Sequence, residues 1–303
     1  MKVPDLDMAV SFFEVGELIS CKALPGGYAN ENFHISTTKG QFFLRLCRQQ
    51  TKESLLYELD LMRILKENSF PTAFPISNHE NEFIFNFRNN RFMLYEFKEG
   101  YEPKIDEESA IEMGNVIGYL STIQGFEKLK PKRNTLDFFF VDQLISRFDN
   151  AKNPMIDLFN FVSEYAQKFK LMTKPDLLKG LIHGDAFPNN TLFDKDNKLV
   201  AIIDFEEACV DNLILDVGMT INGFCFIDNQ LDEDLLAAFL TAYSSHRNLT
   251  KEEKSSLLVY IQIAAFTMLC WHMRYDLVNT PNYNQEQRVR ELMQRIFNLE
   301  TYN

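Results

Sequence analysis

The sequence predicts an α+β protein of two lobes, an N-terminal antiparallel sheet with one helix and then a mainly helical C-terminal lobe. Three observations carry that expectation. Up to about residue 98, short β-branched and aromatic runs alternate with Gly-containing turns. Beyond Pro103, apolar residues recur at helical spacing. Between the two regimes stand Glu99-Gly100 and Pro103, which interrupt regular structure. The domains are therefore expected at 1–98 and 99–303.

Taken in order, Leu18–Leu24, Asn32–Thr37 and Gln41–Cys47 read as strands, with Gly26-Gly27 and Lys39-Gly40 in the turns between them. Leu55, Leu59, Met62 and Leu65 then share one face of a helix over 51–66, which Asn68 and Pro71 terminate. Strands over 82–87 and 91–97 meet at Arg88-Asn89-Asn90 as a hairpin. In the second half, Ala110, Met113, Ile117 and Leu120 open a helical region that resumes after Pro131 and runs to Phe169. Further helices are expected over 235–243 and 252–276, and a last one where Val289, Leu292 and Ile296 align. One insertion breaks this pattern: Leu181–Asp204, two apolar strand-like runs around a polar loop.

The 303 residues, 46% hydrophobic, are enough for one large core or two modest ones. A net charge of -12, from 43 acidic against 31 basic side chains, excludes the clustered cations that neutralise nucleic-acid phosphates. Small molecules are the expected partners. The five cysteines show no close pair and read as reduced thiols. The first residues lack an apolar leader, and the longest apolar stretch, 257–273, is interrupted by Gln262, Thr267 and His272. A cytoplasmic protein without membrane association is expected, and no sequence feature specifies an oligomeric state.

The insertion carries the chemistry. Its loop holds His183, Gly184, Asp185, Asn189 and Asn190, and Asp204 leaves the apolar run Val200-Ala201-Ile202-Ile203. Each side chain alone reads as a turn or cap residue. Together they match what phosphoryl transfer needs: a carboxylate beside the attacking hydroxyl, and hard oxygen ligands for Mg²⁺. Asp185 is assigned as base, and Asn190 and Asp204 as metal ligands. Asn190, not Asn189, has the required spacing from Asp185. His183 is assigned to bracing the loop, and Asp216, ahead of Val217-Gly218-Met219, to capping a helix while steadying that loop.

With Ile203-Asp204-Phe205 behind it, this loop resembles that of the aminoglycoside phosphotransferase and choline kinase superfamily, relatives of protein kinases. His183-Gly184-Asp185 stands where protein kinases carry His-Arg-Asp. The stretch from Asp204 through Ala208-Cys209 and Asp216 to Asn222-Gly223-Phe224-Cys225-Phe226 is most similar to the homoserine kinases of this fold. Trp271-His272-Met273-Arg274-Tyr275-Asp276 looks like that group's closing helix. The resemblance implies a protein-kinase-like fold that uses ATP and Mg²⁺ to phosphorylate a small hydroxylated metabolite.

It also implies where the nucleotide lies. Gly26 and Gly27 would let backbone amides approach the phosphates. Arg45 would meet the α and β phosphates from the position where protein kinases carry Lys. Glu58 reads either as its partner or as an exposed helix residue. Adenine would lie against Met93-Leu94-Tyr95-Glu96-Phe97, read by backbone groups, with Glu96 and Phe97 at its edge. For an amino-acid substrate, Arg274 is suited to the carboxylate and Glu207 or Asp211 to the ammonium, with Asn222 and Trp271 alongside. Trp271 and Arg274 read equally as core packing with a surface cation. Homoserine is the expected acceptor. Choline, an aminoglycoside or another small alcohol is the alternative. A nucleotide-binding protein without activity is the third reading, against which the intact Asp185, Asn190 and Asp204 set speaks.

Overall fold

The N-terminal residues form a helix that periodicity over the first hundred residues did not suggest: α1 (Val3–Phe12), whose Leu6, Ala9 and Val10 are buried. The structure, a computed structural model, describes residues 3–24, 30–148, 156–174, 176–274 and 285–302. Then follow β1 (Leu18–Leu24), β2 (Asn30–Thr37), β3 (Gly40–Cys47), α2 (Lys52–Glu67), β4 (Pro75–Ile76), β5 (Phe85–Phe87) and β6 (Asn90–Glu96). The strands form one antiparallel sheet in the order β1-β2-β3-β6-β4, with β5 also on β6. The β5–β6 turn has Arg88 and Asn89 at φ 46° and 63°, the left-handed pair that a tight hairpin of native twist requires. Thr51 caps α2 by accepting the Ser54 N–H. Leu6, Ala9 and Val10 of this helix, with Phe13 just beyond it, sit together in the core under β2, β3 and β6.

The remainder comprises α3 (Glu107–Leu120), α4 (Phe138–Arg147), α5 (Ile156–Met172), β7 (Lys179–Ile182), β8 (Thr191–Phe193), β9 (Leu199–Ile202), β10 (Cys209–Asn212) and α6 (Leu213–Phe224). After these come β11 (Phe226–Ile227), β12 (Gln230–Leu231), α7 (Glu233–Ser244), α8 (Lys251–His272) and α9 (Glu286–Glu300). The chain divides into two compact units, Met1–Gly100 with Val200–Ile203, and Tyr101–Leu199 with Asp204–Asn303. In the second unit α4, α5, α8 and α9 enclose a core that includes Phe140, Phe161, Phe169, Phe266 and Ile296. By length and composition α8 is apolar enough to cross a membrane, yet 67% of its most apolar window is buried inside this fold, as in a core helix. All five cysteines are free thiols.

Helix α6 lies close against α8 because Gly218 carries no side chain. A Cβ there would stand 2.5 Å from the Tyr260 carbonyl oxygen. The same helix corrects one expectation. Asn212, at the end of β10, occupies its N-cap position, and Asp216 lies within its first turn. The strand runs directly into the helix, so the helix starts earlier than its apolar run suggests.

Candidate active site

Strand β7 pairs with β10 and leads from Ile182 into the loop of His183, Asp185 and Asn190. The turn is held from below by Asp216. Its two carboxylate oxygens accept the backbone N–H of His183 at 2.7 Å and of Gly184 at 2.8 Å. His183 is fully buried against Phe205, and its Nδ1 accepts the Asp185 N–H at 3.2 Å. Gly184 has φ +81°, and a Cβ on it would lie 3.1 Å from the Glu207 carbonyl oxygen. Both facts demand glycine between the histidine and the aspartate.

Asp185 is oriented by Asn190. The Asn190 amide nitrogen donates to the Asp185 carbonyl at 2.9 Å and to its carboxylate at 2.7 Å. The side-chain oxygen of Asn190 is thereby turned away from Asp185 and accepts the Asn189 amide at 3.3 Å, a long contact that a cation would replace. Asp204 is exposed and sits at φ 66°, in the left-handed region that a residue without a local reason avoids. Burial, then the charges of Asp204 and Glu207, lift the Asp185 pKa well above the ordinary carboxylate range. A hard cation would relieve that crowding of negative charge, so the oxygen-only donor set fits Mg²⁺. Among the described residues no group of three or more His, Cys, Asp or Glu side chains could hold a metal. The ion's remaining ligands would come from phosphate and water, as is usual for Mg²⁺.

Glu207 belongs to the same cluster. Burial raises its pKa, Asp204 adds to the rise, and Lys132 and Arg274 oppose it. A segment the sequence reading did not single out holds it in place. Lys132 Nζ donates to the carbonyls of Glu206 and Ala208, the latter at 3.1 Å, and the Thr135 hydroxyl donates to the Glu207 carboxylate. Arg274 lies over the Phe140 ring, 5.4 Å from its centroid, while Trp271 is partly buried on the helical core. Tyr275 and Asp276 lie outside the described residues.

Two of the expected substrate residues have hydrogen-bond partners within the protein. Asp211 pairs with Gly180 in the β7–β10 ladder, accepting from Asn134 at 2.9 Å and from the Asn212 N–H at 2.8 Å. Asn222 is buried between α6 and α8, where its amide nitrogen donates to the carbonyls of Gly218 and Ile261 at 2.9 and 2.8 Å. The Asn222 side-chain oxygen is buried with no hydrogen-bond partner among the described residues.

In the first unit Arg45 and Glu58 form a buried ion pair at 2.5 Å, 5% and 2% exposed, which removes the exposed-helix reading of Glu58. Glu96 donates its backbone N–H to Phe74 O at 3.0 Å and pairs through its carboxylate with Lys98 at 3.0 Å. Phe97 stacks on His34 with centroids 4.1 Å apart. Gly26 and Gly27 lie outside the described residues. The sequence reading gave no side-chain role to Gln50 or Tyr95, which surround the pair. The available signal was that Met93 and Tyr95 alternate on β6, so both face the same side as the pair.

These elements define a small-molecule kinase of protein-kinase-like fold. The family model APH, the phosphotransferase enzyme family, matches residues 20–251, and the chain belongs to that family. Among curated relatives, the homoserine kinase of Parvibaculum lavamentivorans is 29% identical over 290 residues, covering 92% of this chain and 88% of that one. The homoserine kinase of Bradyrhizobium diazoefficiens is 30% identical over 280 residues, covering 90% and 84%. Among solved structures, an amicoumacin kinase in complex with AMP-PNP and Ca²⁺ superposes with a TM-score of 0.73 at 13% identity, covering 98% and 93%.

Proposed function

We propose that this chain transfers the γ-phosphoryl group of ATP to the hydroxyl of homoserine, with Mg²⁺ as the metal. The observation that carries the reading is the double grip of Asn190 on Asp185, which fixes a carboxylate and points the amide oxygen, which accepts from Asn189 at 3.3 Å, away from it. In this reading 1–98 is the nucleotide-binding lobe and 99–303 carries the catalytic loop. Asp185 accepts the hydroxyl proton and aims the oxygen. Burial, and then the surrounding acids, raise its basicity, as a general base requires. Asn190 and Asp204 would hold Mg²⁺, which supplies neutralisation of the phosphate charge. Arg45, kept in place by Glu58, would meet the phosphates as a bidentate donor. Gly26, Gly27 and the backbone of Glu96 and Phe97 complete the nucleotide side.

Support for homoserine comes from the two relatives above and from the opposed charges of Glu207, which acts on Asp185, and Arg274, which acts on Glu207: the first suits an ammonium, the second a carboxylate. Trp271, one helical turn before Arg274 in sequence, would bound that pocket. A second reading, a cationic alcohol such as choline, is favoured by the excess of carboxylates, Asp185, Asp204 and Glu207. The chain is assigned to the cytoplasm, where ATP is available.

The test is ADP release with Mg-ATP against homoserine, choline, threonine, methylthioribose and an aminoglycoside. Turnover of homoserine far above the others is expected. Preference for choline or the aminoglycoside removes Arg274 from the substrate site and keeps the kinase.

A further inference from the structure

The Arg45–Glu58 pair sits inside a larger polar cage whose other members have no role in the reading above. Glu58 Oε1 accepts both Arg45 Nη2, at 2.5 Å, and the Tyr95 hydroxyl, at 2.8 Å. Glu58 Oε2 accepts the Gln50 amide at 2.9 Å. The Tyr95 oxygen in turn accepts from Arg45 Nη2, and the Arg45 guanidinium lies 4.9 Å from the Tyr95 ring centroid. Met93 sulfur stands 3.8 Å from the same nitrogen. Every contact lies within one unit, joining β3, the turn before α2, α2 and β6.

A tyrosine hydroxyl has one proton and here it points at Glu58, so its oxygen can only accept from Arg45. The hydroxyl is therefore fixed between the two charged groups. It ties the guanidinium to the sheet as well as to the helix. Arginine carries about 2 kcal/mol of rotamer entropy, which an unbraced side chain would lose on meeting an anion. One nitrogen anchored to three groups removes that loss before the ligand arrives. Lysine has a single ammonium and cannot hold the cage with one nitrogen while offering others to phosphate.

We propose that Tyr95, with Gln50, is a positioning residue for nucleotide binding: its hydroxyl orients the Arg45 fork toward the phosphates, and it is the reason an arginine stands at this position. The inference rests on the reading of Arg45 as the phosphate-binding side chain. Glu58 is held ionised as the cage requires. Burial works against that, and Arg45, Gln50 and Tyr95 together outweigh it, leaving the carboxyl below its ordinary range.

Tyr95→Phe keeps the ring and its edge contact with Phe43 and removes only the hydroxyl. In the full-length chain the KM for ATP and the Kd for Mg-ADP by calorimetry should each rise about tenfold, with kcat changed less than about threefold. Arg45→Lys should cost distinctly less in the Tyr95→Phe background than in the wild-type chain, because the cage that lysine fails to satisfy is already broken. A purely structural hydroxyl would lower the melting temperature and leave KM and Kd unchanged, and that result overturns the inference. Strict additivity of the two substitutions overturns it also. If the unmodified chain binds no nucleotide, the functional reading itself fails and the inference with it, whereas binding that Tyr95→Phe leaves intact removes the inference alone.

Discussion

Asp185 owes its properties to neighbours that no local pattern of the loop specifies. Its amide partner is five residues away, but the acids that lift its pKa, Asp204 and Glu207, arrive from another segment. Replacing Asp185 by Asn keeps the shape and removes the acceptor for the proton, so kcat should fall roughly 10²- to 10⁴-fold with homoserine, measured at saturating Mg-ATP. Gly184→Ala should abolish turnover in the same assay through strain at φ +81° and contact with Glu207, even though alanine is the smallest possible change. Asp216 yields a pH signature. Burial raises its pKa to about 6, opposed by the N–H groups of His183 and Gly184, against roughly 3.9 for an unfolded chain. The folded state thus holds the proton more tightly, so this group's stabilising contribution is complete below about pH 4 and disappears as the pH climbs through 6. Relative to Asp216→Asn, denaturant stability of the wild type should decline by up to about 3 kcal/mol between pH 4 and pH 7. Parallel pH curves for the two proteins would contradict the assignment.

At the scale of elements, the strands and helices were mostly legible because their signals are local. The strands over 18–47, the helix capped by Thr51 and the hairpin at Arg88-Asn89 all follow from alternation, spacing and turn chemistry. Helix α1 escaped because its apolar positions, Leu6, Ala9, Val10 and Phe13, occupy a short segment that borders the sheet region. The Asp216 cap failed for another reason. Its carboxylate is committed to a turn 32 and 33 residues earlier, and such a partner is invisible along the chain. The seam between α6 and α8 offers a test of how far helix position governs the loop. Gly218→Ala would push a methyl group against the Tyr260 carbonyl and should cost about 1–3 kcal/mol of stability by urea titration. Because α6 also carries Asp216, homoserine turnover should fall at temperatures where the variant is still folded. Retained activity would show that the loop tolerates movement of its support.

For the whole molecule, the proposed function predicts linkage between ligands and stability. Chelation with EDTA should stop turnover, and added Mg²⁺ should restore it. Mg-ADP at a hundred times its Kd should stabilise the protein by about 2.7 kcal/mol, read as a rise in melting temperature. No rise at saturating nucleotide would count against a nucleotide-binding lobe. The sequence by itself determined the α+β class and the order of most elements, and it put forward Asp185, Asn190 and Asp204 as the candidate set, because each rests on short-range spacing. Tertiary structure alone decided that Glu58 is buried, that Tyr95 and Gln50 enclose it, that Asn134 donates to Asp211 and Asn222 donates to Ile261, and that Lys132 and Thr135 hold the segment around Glu207. The division has one physical cause. Spacing encodes which face of an element is apolar, whereas hydrogen-bond partners and perturbed pKa values depend on groups brought together from dozens of residues apart.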